Sequence, residues 1–325
     1  MTQPYTFDNI LDIIESEITA LKFKRQPESL FEPISYILSL GGKRVRPALA
    51  LMACNLFQEN ASQALPVALG IEVFHNFTLL HDDLMDRADM RRSKPTVHMK
   101  WNDNAAILSG DAMVIEAYRE ISKVSSDVLK PILEGFSDTA TEICCGQQLD
   151  IEFENRLDVS VEEYIEMIRL KTAVLLGYAL KGGAIVAQAK DKDINALYDF
   201  GINLGLAFQL KDDLLDVYGD EKSFGKKIGG DIACNKKTYL LINALANKGV
   251  YDELITWIEK TSFDRAEKVN AVTEIYNKLG LKEKTEVLIE GYYKKALQNL
   301  SEVEVDATRK EQLMQLAEKM MFRNS

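Results

Sequence analysis

Asp82-Asp83-Leu84-Met85-Asp86 and Asp212-Asp213-Leu214-Leu215-Asp216 repeat one pattern 130 positions apart, each at the end of a long apolar stretch. Residues four apart on a helix lie one above the other, so Asp82 shares a face with Asp86, and Asp212 with Asp216. Two such helices facing each other would gather carboxylates that repel by about 4 kcal/mol per pair at ~4 Å and an effective dielectric of ~20. Divalent cations relieve that repulsion, and an all-oxygen set points to Mg²⁺ or Mn²⁺. The first pentad alone reads as a solvated helix end. The second follows Phe208-Gln209-Leu210-Lys211 in a very apolar helix, which makes chance a poor account of the pair. Neither has the central Gly and terminal Glu of an EF-hand loop.

Basic residues supply a counterpart. Gly41-Gly42-Lys43-Arg44-Val45-Arg46-Pro47 is a Gly-opened turn running into a helix N-terminus, where backbone N–H groups and cationic side chains suit a phosphate. Arg91-Arg92-Ser93-Lys94-Pro95-Thr96 follows the first pentad directly, and arginine forks match phosphate oxygens in pairs. His75 lies two helical turns before Asp82, roughly 10.5 Å along the same helix. Lys171-Thr172 interrupts an apolar helix, so this lysine either snorkels to the surface or faces an anion. Lys226, Lys227, Lys236 and Lys237 fall in a glycine-rich stretch; in isolation they read as solvated. Carboxylates for metal, cations for a diphosphate and apolar helices for a greasy tail form one chemical combination.

The elements that must position these residues are helices. Ile10, Ile13, Ile14, Ile18 and Leu21 form a stripe at the helical period. Pro33, Pro47 and Pro66 are positioned to open helices, the first stopping at Gly41-Gly42, the second near Phe57 and the third near Arg87. Residues 88–104 read as a loop. Helices are expected over most of 105–124 and 127–153 and over 193–217. Ser160 with Glu163 forms a capping-box pattern ahead of Lys171, and Asp264 with Glu267 marks a later helix start. Residues 218–237 read as a functional loop. Alternating strand segments are absent, so the expectation is a single all-α domain over 1–325. Gly201 and Gly205 would allow close helix contact, within or between subunits.

Composition bounds the function. Hydrophobic residues make up 46% and charged residues 27% of the 325, an ordinary soluble balance with room for a large core. Net charge is −11, which argues against generic nucleic-acid binding. Cys54, Cys144, Cys145 and Cys234 form no CxxC pair and fit a reduced, cytoplasmic setting. No signal peptide or membrane span is expected; the most apolar run, 172–189, carries Lys181 and three glycines.

The ordered set GGKRVRP at 41–47, His75, HDDLMD at 81–86, RRSKPT at 91–96, GQQLD at 146–150, Lys171-Thr172, FQLKDDLLD at 208–216 and GKKIGGDIACNKKT at 225–238 resembles the trans-isoprenyl diphosphate synthase family, the polyprenyl synthetases. Two departures stand out: Ser93 replaces the usual Gly, and the first acidic motif lacks a two-residue insertion common in bacterial relatives. The resemblance implies an isoprenoid-synthase bundle of about ten or more helices around a central apolar cavity, in a homodimer. It implies three Mg²⁺ ions, with Mn²⁺ as a substitute, on Asp82, Asp86 and Asp212. Asp83, Asp213 and Asp216 would be further ligands or supports. It assigns isopentenyl diphosphate to Lys43, Arg46, His75 and Arg92. The allylic diphosphate falls to Arg91, Lys171, Lys236 and Lys226, with Lys227 as the alternative to Lys226. Thr172 and Gln209 would set oxygen dipoles beside the allylic cation.

Product length should depend on residues before the first pentad. Phe77 matches the family's chain-length floor; bulky Phe74 and small Thr78 flank it. This pattern resembles synthases of the twenty-carbon geranylgeranyl diphosphate, with the fifteen-carbon farnesyl diphosphate as the alternative. Three rivals remain. A terpene cyclase of this fold would carry an Asn/Ser/Glu-type second motif, a non-catalytic synthase subunit would have lost metal aspartates, and a plain helical scaffold would bind no diphosphate.

Overall fold

The computed structural model describes residues 5–23, 25–220 and 228–322, and among these the chain is helical apart from one short hairpin. In chain order come α1 (Phe7–Ala20), α2 (Glu28–Ser39), α3 (Val45–Phe57), a 3₁₀ turn (Ala61–Ala64) and α4 (Leu65–Met85). Strands β1 (Met90–Arg91) and β2 (Lys94–Pro95) precede α5 (Val97–Lys100), α6 (Asp103–Ile121), α7 (Ser126–Glu154) and α8 (Val161–Ile168). A π-turn (Arg169–Ala173) leads into α9 (Val174–Val186) and α10 (Asp191–Tyr218). Then follow α11 (Gly230–Ala233), α12 (Tyr239–Leu245), α13 (Tyr251–Ile258), α14 (Arg265–Lys278), α15 (Leu281–Glu302) and α16 (Ala307–Phe322). No described helix is long and apolar enough to cross a membrane.

The chain divides into two compact units, one of residues 1–137, 178–197 and 303–313, the other of 138–177, 198–302 and 314–325. In the first, α3 is buried on all sides from Pro47 to Leu56, as expected of a helix with apolar residues all round. The stripe of α1 buries Ile10, Ile14 and Ile18. Two sequence expectations need correction here. Helix α2 begins at Glu28, not at Pro33, which lies inside it; Pro33 shares the buried face with Ile34, Ile37 and Leu38, and that packing outweighs the N–H it lacks. Residues 88–104 are not simply a loop. Arg92 (φ 51°) and Ser93 (φ 60°) form a two-residue turn that pairs Arg91 with Lys94, a geometry whose twist suits a hairpin. Thr96 closes it, its hydroxyl donating to the Ala88 carbonyl at 2.7 Å.

In the second unit, the capping box at α8 forms as the sequence suggests. The Glu163 N–H donates to Ser160 Oγ at 3.1 Å, and the Ser160 N–H to Glu163 Oε2 at 2.9 Å. The start of α14 at Asp264 is likewise capped, by the Glu267 N–H at 2.9 Å. Gly201 and Gly205 make their close contact within the chain: a Cβ on either would lie 2.6 Å from the Cα of Gly177 or Ala173. A core of Leu240, Leu241, Leu254, Val272, Ile275 and Tyr276 ties α12, α13 and α14 together.

Candidate functional site

In the first unit, Gly41 (φ 78°), Gly42 (φ 146°) and Arg44 (φ 47°) turn the chain into α3. Arg44 does not serve a ligand. It is buried, with Nη1 donating to Glu72 at 2.5 Å, Nε to Glu15 at 2.8 Å and Nη2 to the Leu38 carbonyl at 2.9 Å. Glu72 is in turn held by Asn76 Nδ2 at 2.9 Å. The basic turn is thus tied to α4, and removing one member of such a buried pair costs about 3–5 kcal/mol. Lys43 stays exposed beside it. The Arg92 guanidinium lies over Gly42, where a Cβ would come within 2.8 Å of Nη2. Arg46 Nη1 sits 3.2 Å from His75 Nε2. Guanidinium can only donate, so Nε2 accepts and the proton belongs on Nδ1. Burial, then the charges of Arg46, Arg92, Arg91 and Arg44, hold His75 well below its ordinary pKa of 6.5. The structure therefore gathers Arg46, His75 and Arg92 as one basic patch around a neutral imidazole.

The first pentad ends α4. Asp82 is partly buried and Asp86 exposed, with the Asp86 N–H donating to the Asp82 carbonyl at 2.8 Å. Asp83 differs: it is buried, and Arg91 engages both of its oxygens at 2.7 Å each. This bidentate fork fixes the guanidinium that the hairpin presents. Phe77 packs edge-on to His81 at 4.7 Å and against Phe74 at 5.3 Å; Phe74 meets Phe136 edge-on at 5.1 Å. Thr78 turns its hydroxyl back onto the His75 carbonyl at 2.8 Å.

In the second unit, α10 carries the other pentad. Asp212 is partly buried; Asp213 and Asp216 are buried. Asp213 accepts from Tyr164 Oη at 2.5 Å on one oxygen and from Gln209 Nε2 at 2.9 Å on the other. A carboxylate only accepts, so the Gln209 amide is oriented with Oε1 outward, where it receives the Thr172 hydroxyl at 3.1 Å. Burial raises the Asp213 pKa above its ordinary 3.8, while Lys236, Tyr164 and Gln209 pull it back. Burial would lower Lys236, but Asp231, Asp213 and Asp150 outweigh it and hold the ammonium protonated. Asp216 accepts from the Asp231 N–H at 2.9 Å, so it holds the start of α11.

Lys171 and Thr172 sit in the π-turn, an irregularity frequent at functional sites. Gly146 lets α7 approach this turn: a Cβ there would lie 2.4 Å from the Lys171 nitrogen. One turn on, Asp150 holds Lys171 Nζ at 2.6 Å. Lys226 and Lys227 lie outside the described residues.

Among the described residues, no group of three or more His, Cys, Asp or Glu side chains is gathered closely enough to hold a metal ion unaided. The donor set nevertheless suits Mg²⁺, which keeps several waters and takes one or two carboxylates together with substrate phosphates. Asp82 with Asp86 in the first unit suits that need, and so, taken by itself, does Asp212 in the second; Asp83 and Asp213 accept from protein donors on both oxygens. Sequence reasoning missed Glu72 and Tyr164, and gave no role to Asp150 and Asp231 although both stand in the motifs GQQLD and GKKIGGDIACNKKT. Glu72 carried a signal, an acid inside the run Val67 to Phe74, like the one that flagged Lys171. Tyr164, an aromatic on an apolar helix face, carried none.

Residues 27–279 match the polyprenyl synthetase family. A geranylgeranyl diphosphate synthase of Methanosarcina mazei is 39% identical over 263 residues, covering 80% of this chain and 81% of that protein. A crystal structure of a geranylgeranyl pyrophosphate synthase superposes with a TM-score of 0.95 at 44% identity, over 99% of this chain and 100% of its own. Another, from Corynebacterium glutamicum, is in complex with isoprenyl diphosphate and magnesium; it superposes with a TM-score of 0.83 at 28% identity, over 98% and 97%.

Proposed function

We propose, since this chain belongs to the polyprenyl synthetase family, that it is a short-chain trans-prenyltransferase joining isopentenyl diphosphate head-to-tail to an allylic diphosphate. Geranylgeranyl diphosphate is the proposed product, and both the M. mazei relative and the 44%-identical structure bear that product's name. The observation that carries the reading is the family match, which spans both acidic pentads and every basic segment between them.

Asp82, Asp86 and Asp212 would hold three Mg²⁺ ions, or Mn²⁺ in their place, and the metal would supply charge neutralisation for the diphosphate. The chain's own residues do the rest. Lys43, Arg46, His75 and Arg92 hold isopentenyl diphosphate, with neutral His75 adding a contact that needs no further charge. Arg91, braced by Asp83, and Lys171, braced by Asp150, hold the allylic diphosphate with Lys236 and Lys226 or Lys227. Thr172 and Gln209, oriented by Asp213, present oxygen dipoles to the developing cation. The apolar residues before the first pentad keep water away. The one imidazole in these sets is engaged, its acceptor nitrogen facing Arg46. The proton lost after attack therefore goes to the released diphosphate.

Phe77, backed by Phe74 and Phe136, forms the floor that ends chain growth, with Thr78 beside it. The second reading is the fifteen-carbon farnesyl product, since a relative of Bacillus subtilis, 38% identical over 236 residues, is named a farnesyl diphosphate synthase. We further propose a homodimer, formed through Ile107, Leu108 and Ile115, which α6 leaves exposed. The test incubates purified protein with isopentenyl diphosphate and each allylic primer, with and without Mg²⁺, and measures product chain length. Mg²⁺-dependent condensation is expected, and its absence with every primer overturns the reading.

A further inference from the structure

Helix α14 (Arg265–Lys278) lies outside every motif, yet one of its faces grips the segment that bears Asp231 and Lys236. Arg265, Lys268 and Val269 stand at helical spacing i, i+3, i+4. Arg265 Nη2 donates to the Ile228 carbonyl at 3.0 Å. Val269 packs on Gly229 (φ 76°), where a Cβ would meet its methyls at 2.6 Å. Lys268 is 1% exposed, and its Nζ donates to Asn235 Oδ1 at 2.7 Å and to the Ala233 carbonyl at 3.3 Å, over the Phe263 ring at 4.3 Å.

None of these described contacts is a carboxylate. A buried ammonium without one is costly to keep, so its placement calls for a reason. The reason is in what it holds. Ala233 ends α11, and its carbonyl is one of the acceptors a helix end leaves over. Asn235 stands in the left-handed region (φ 57°), and its Nδ2 donates to the Ile258 carbonyl at 3.0 Å. That bond forces Oδ1 toward Lys268, because the opposite amide orientation would set an NH₂ against an ammonium. The next residue is Lys236, whose N–H returns to the Asp231 carbonyl at 2.9 Å and whose Nζ lies 3.9 Å from Asp231 Oδ1. Lys237, also buried, secures the turn from the other direction, donating to the Asn235 carbonyl at 3.2 Å and the Glu154 carbonyl at 3.0 Å.

We propose that Lys268 is a positioning residue for diphosphate binding: it fixes the Ala233–Asn235 turn, and through it the direction in which Lys236 projects. The proposal rests on the role given to Lys236 above. It places a determinant of allylic-diphosphate affinity on a helix that carries none of the proposed substrate contacts.

The experiment compares wild type, Lys268→Met, Lys268→Arg and Asn235→Gly. Calorimetry with inorganic pyrophosphate and Mg²⁺ gives affinity without turnover; steady-state kinetics give KM for each substrate, and thermal unfolding gives Tm. Lys268→Met should weaken pyrophosphate binding and raise the allylic KM by about tenfold, the loss of a preorganised ligand group, with the isopentenyl KM within about twofold. Lys268→Arg, which keeps charged donors, should recover most of the loss. Asn235→Gly keeps the backbone angle but cuts the link to Lys268, and should reproduce the selective defect if Lys268→Met does not fold. The proposal is overturned if pyrophosphate affinity and the allylic KM stay at wild-type values in the folded variants. It is also overturned if both KM values rise together with a fallen Tm and Arg restores nothing. Pyrophosphate binding by a wild type that condenses no substrate would sink the functional reading and leave this one standing.

Discussion

Tyr164→Phe should destabilise the protein by about 1.5–3 kcal/mol at pH 7, the range for a hydrogen bond to a charged group. Tyr164 is 1% exposed and Asp213 4%, and the bond between them is 2.5 Å long. Phe keeps the ring and its packing, so the change isolates the hydroxyl. Protonating Asp213 turns the lost bond into one between neutral groups, about 0.5–1.5 kcal/mol. The penalty should therefore shrink by about 1 kcal/mol at low pH, and the Asp213 pKa should rise further in the variant. The sign follows from burial, which already raises that pKa above 3.8. The native state holds its proton longer than the unfolded chain, so stability falls as pH rises from the ordinary carboxylate range through the native pKa. The variant widens that window and loses most at neutral pH. Urea unfolding of both proteins at pH 7 and near pH 4 measures the difference. A penalty equal at both values would refute the idea that Tyr164 stabilises the Asp213 carboxylate.

Phe77→Ala should lengthen the product by at least one five-carbon unit, read by chain-length analysis; an unchanged product would remove Phe77 as the floor. Ser93→Gly relieves a left-handed backbone (φ 60°) that disfavours L-residues by about 1–2 kcal/mol. After the extra unfolded-state freedom of Gly, about 0.5–1 kcal/mol, a small net gain remains, expected as a Tm rise of about 1–2 °C; a lower Tm contradicts it. The His75 imidazole should remain neutral at pH 6 in an NMR titration, because burial and the surrounding arginines hold its pKa well below 6.5. Stability should correspondingly decline as pH drops below 6.5, where the unfolded chain takes up the proton first. A midpoint near 6.5 would place His75 away from those charges.

The helices were legible because their signals are local. The Ser160–Glu163 box and the period of Ile10, Ile14 and Ile18 need only neighbouring residues. Pro33 misled for the same reason: the local rule puts proline at a helix start, and only tertiary burial shows why it is tolerated within α2. The hairpin at 90–95 was hidden because its turn, Arg92-Ser93, lacks the Asn or Gly that advertises two left-handed residues. The basic and acidic residues of the candidate site could be found as types. Their partners could not, since Arg44 with Glu72, Lys171 with Asp150 and Tyr164 with Asp213 are separated by 21 to 49 positions.

Those partners explain a feature of the pentads that composition leaves obscure. In Asp-Asp-x-x-Asp on a helix, the first and last residues share a face, and the second lies about 100° round the axis. If the outer face meets metal and diphosphate, the second aspartate is turned toward protein and must find donors there. It does so in both helices, by different means. Asp83, beside the basic hairpin, takes the fork of Arg91; Asp213, beside an apolar helix, takes Tyr164 and Gln209. Each borrowed donor then hands order to a proposed substrate contact: Arg91 itself in one case, and Thr172 through Gln209 in the other. The second aspartate thus holds a protein donor in both helices, and the two pentads are alike in charge but unlike in the neighbours they engage.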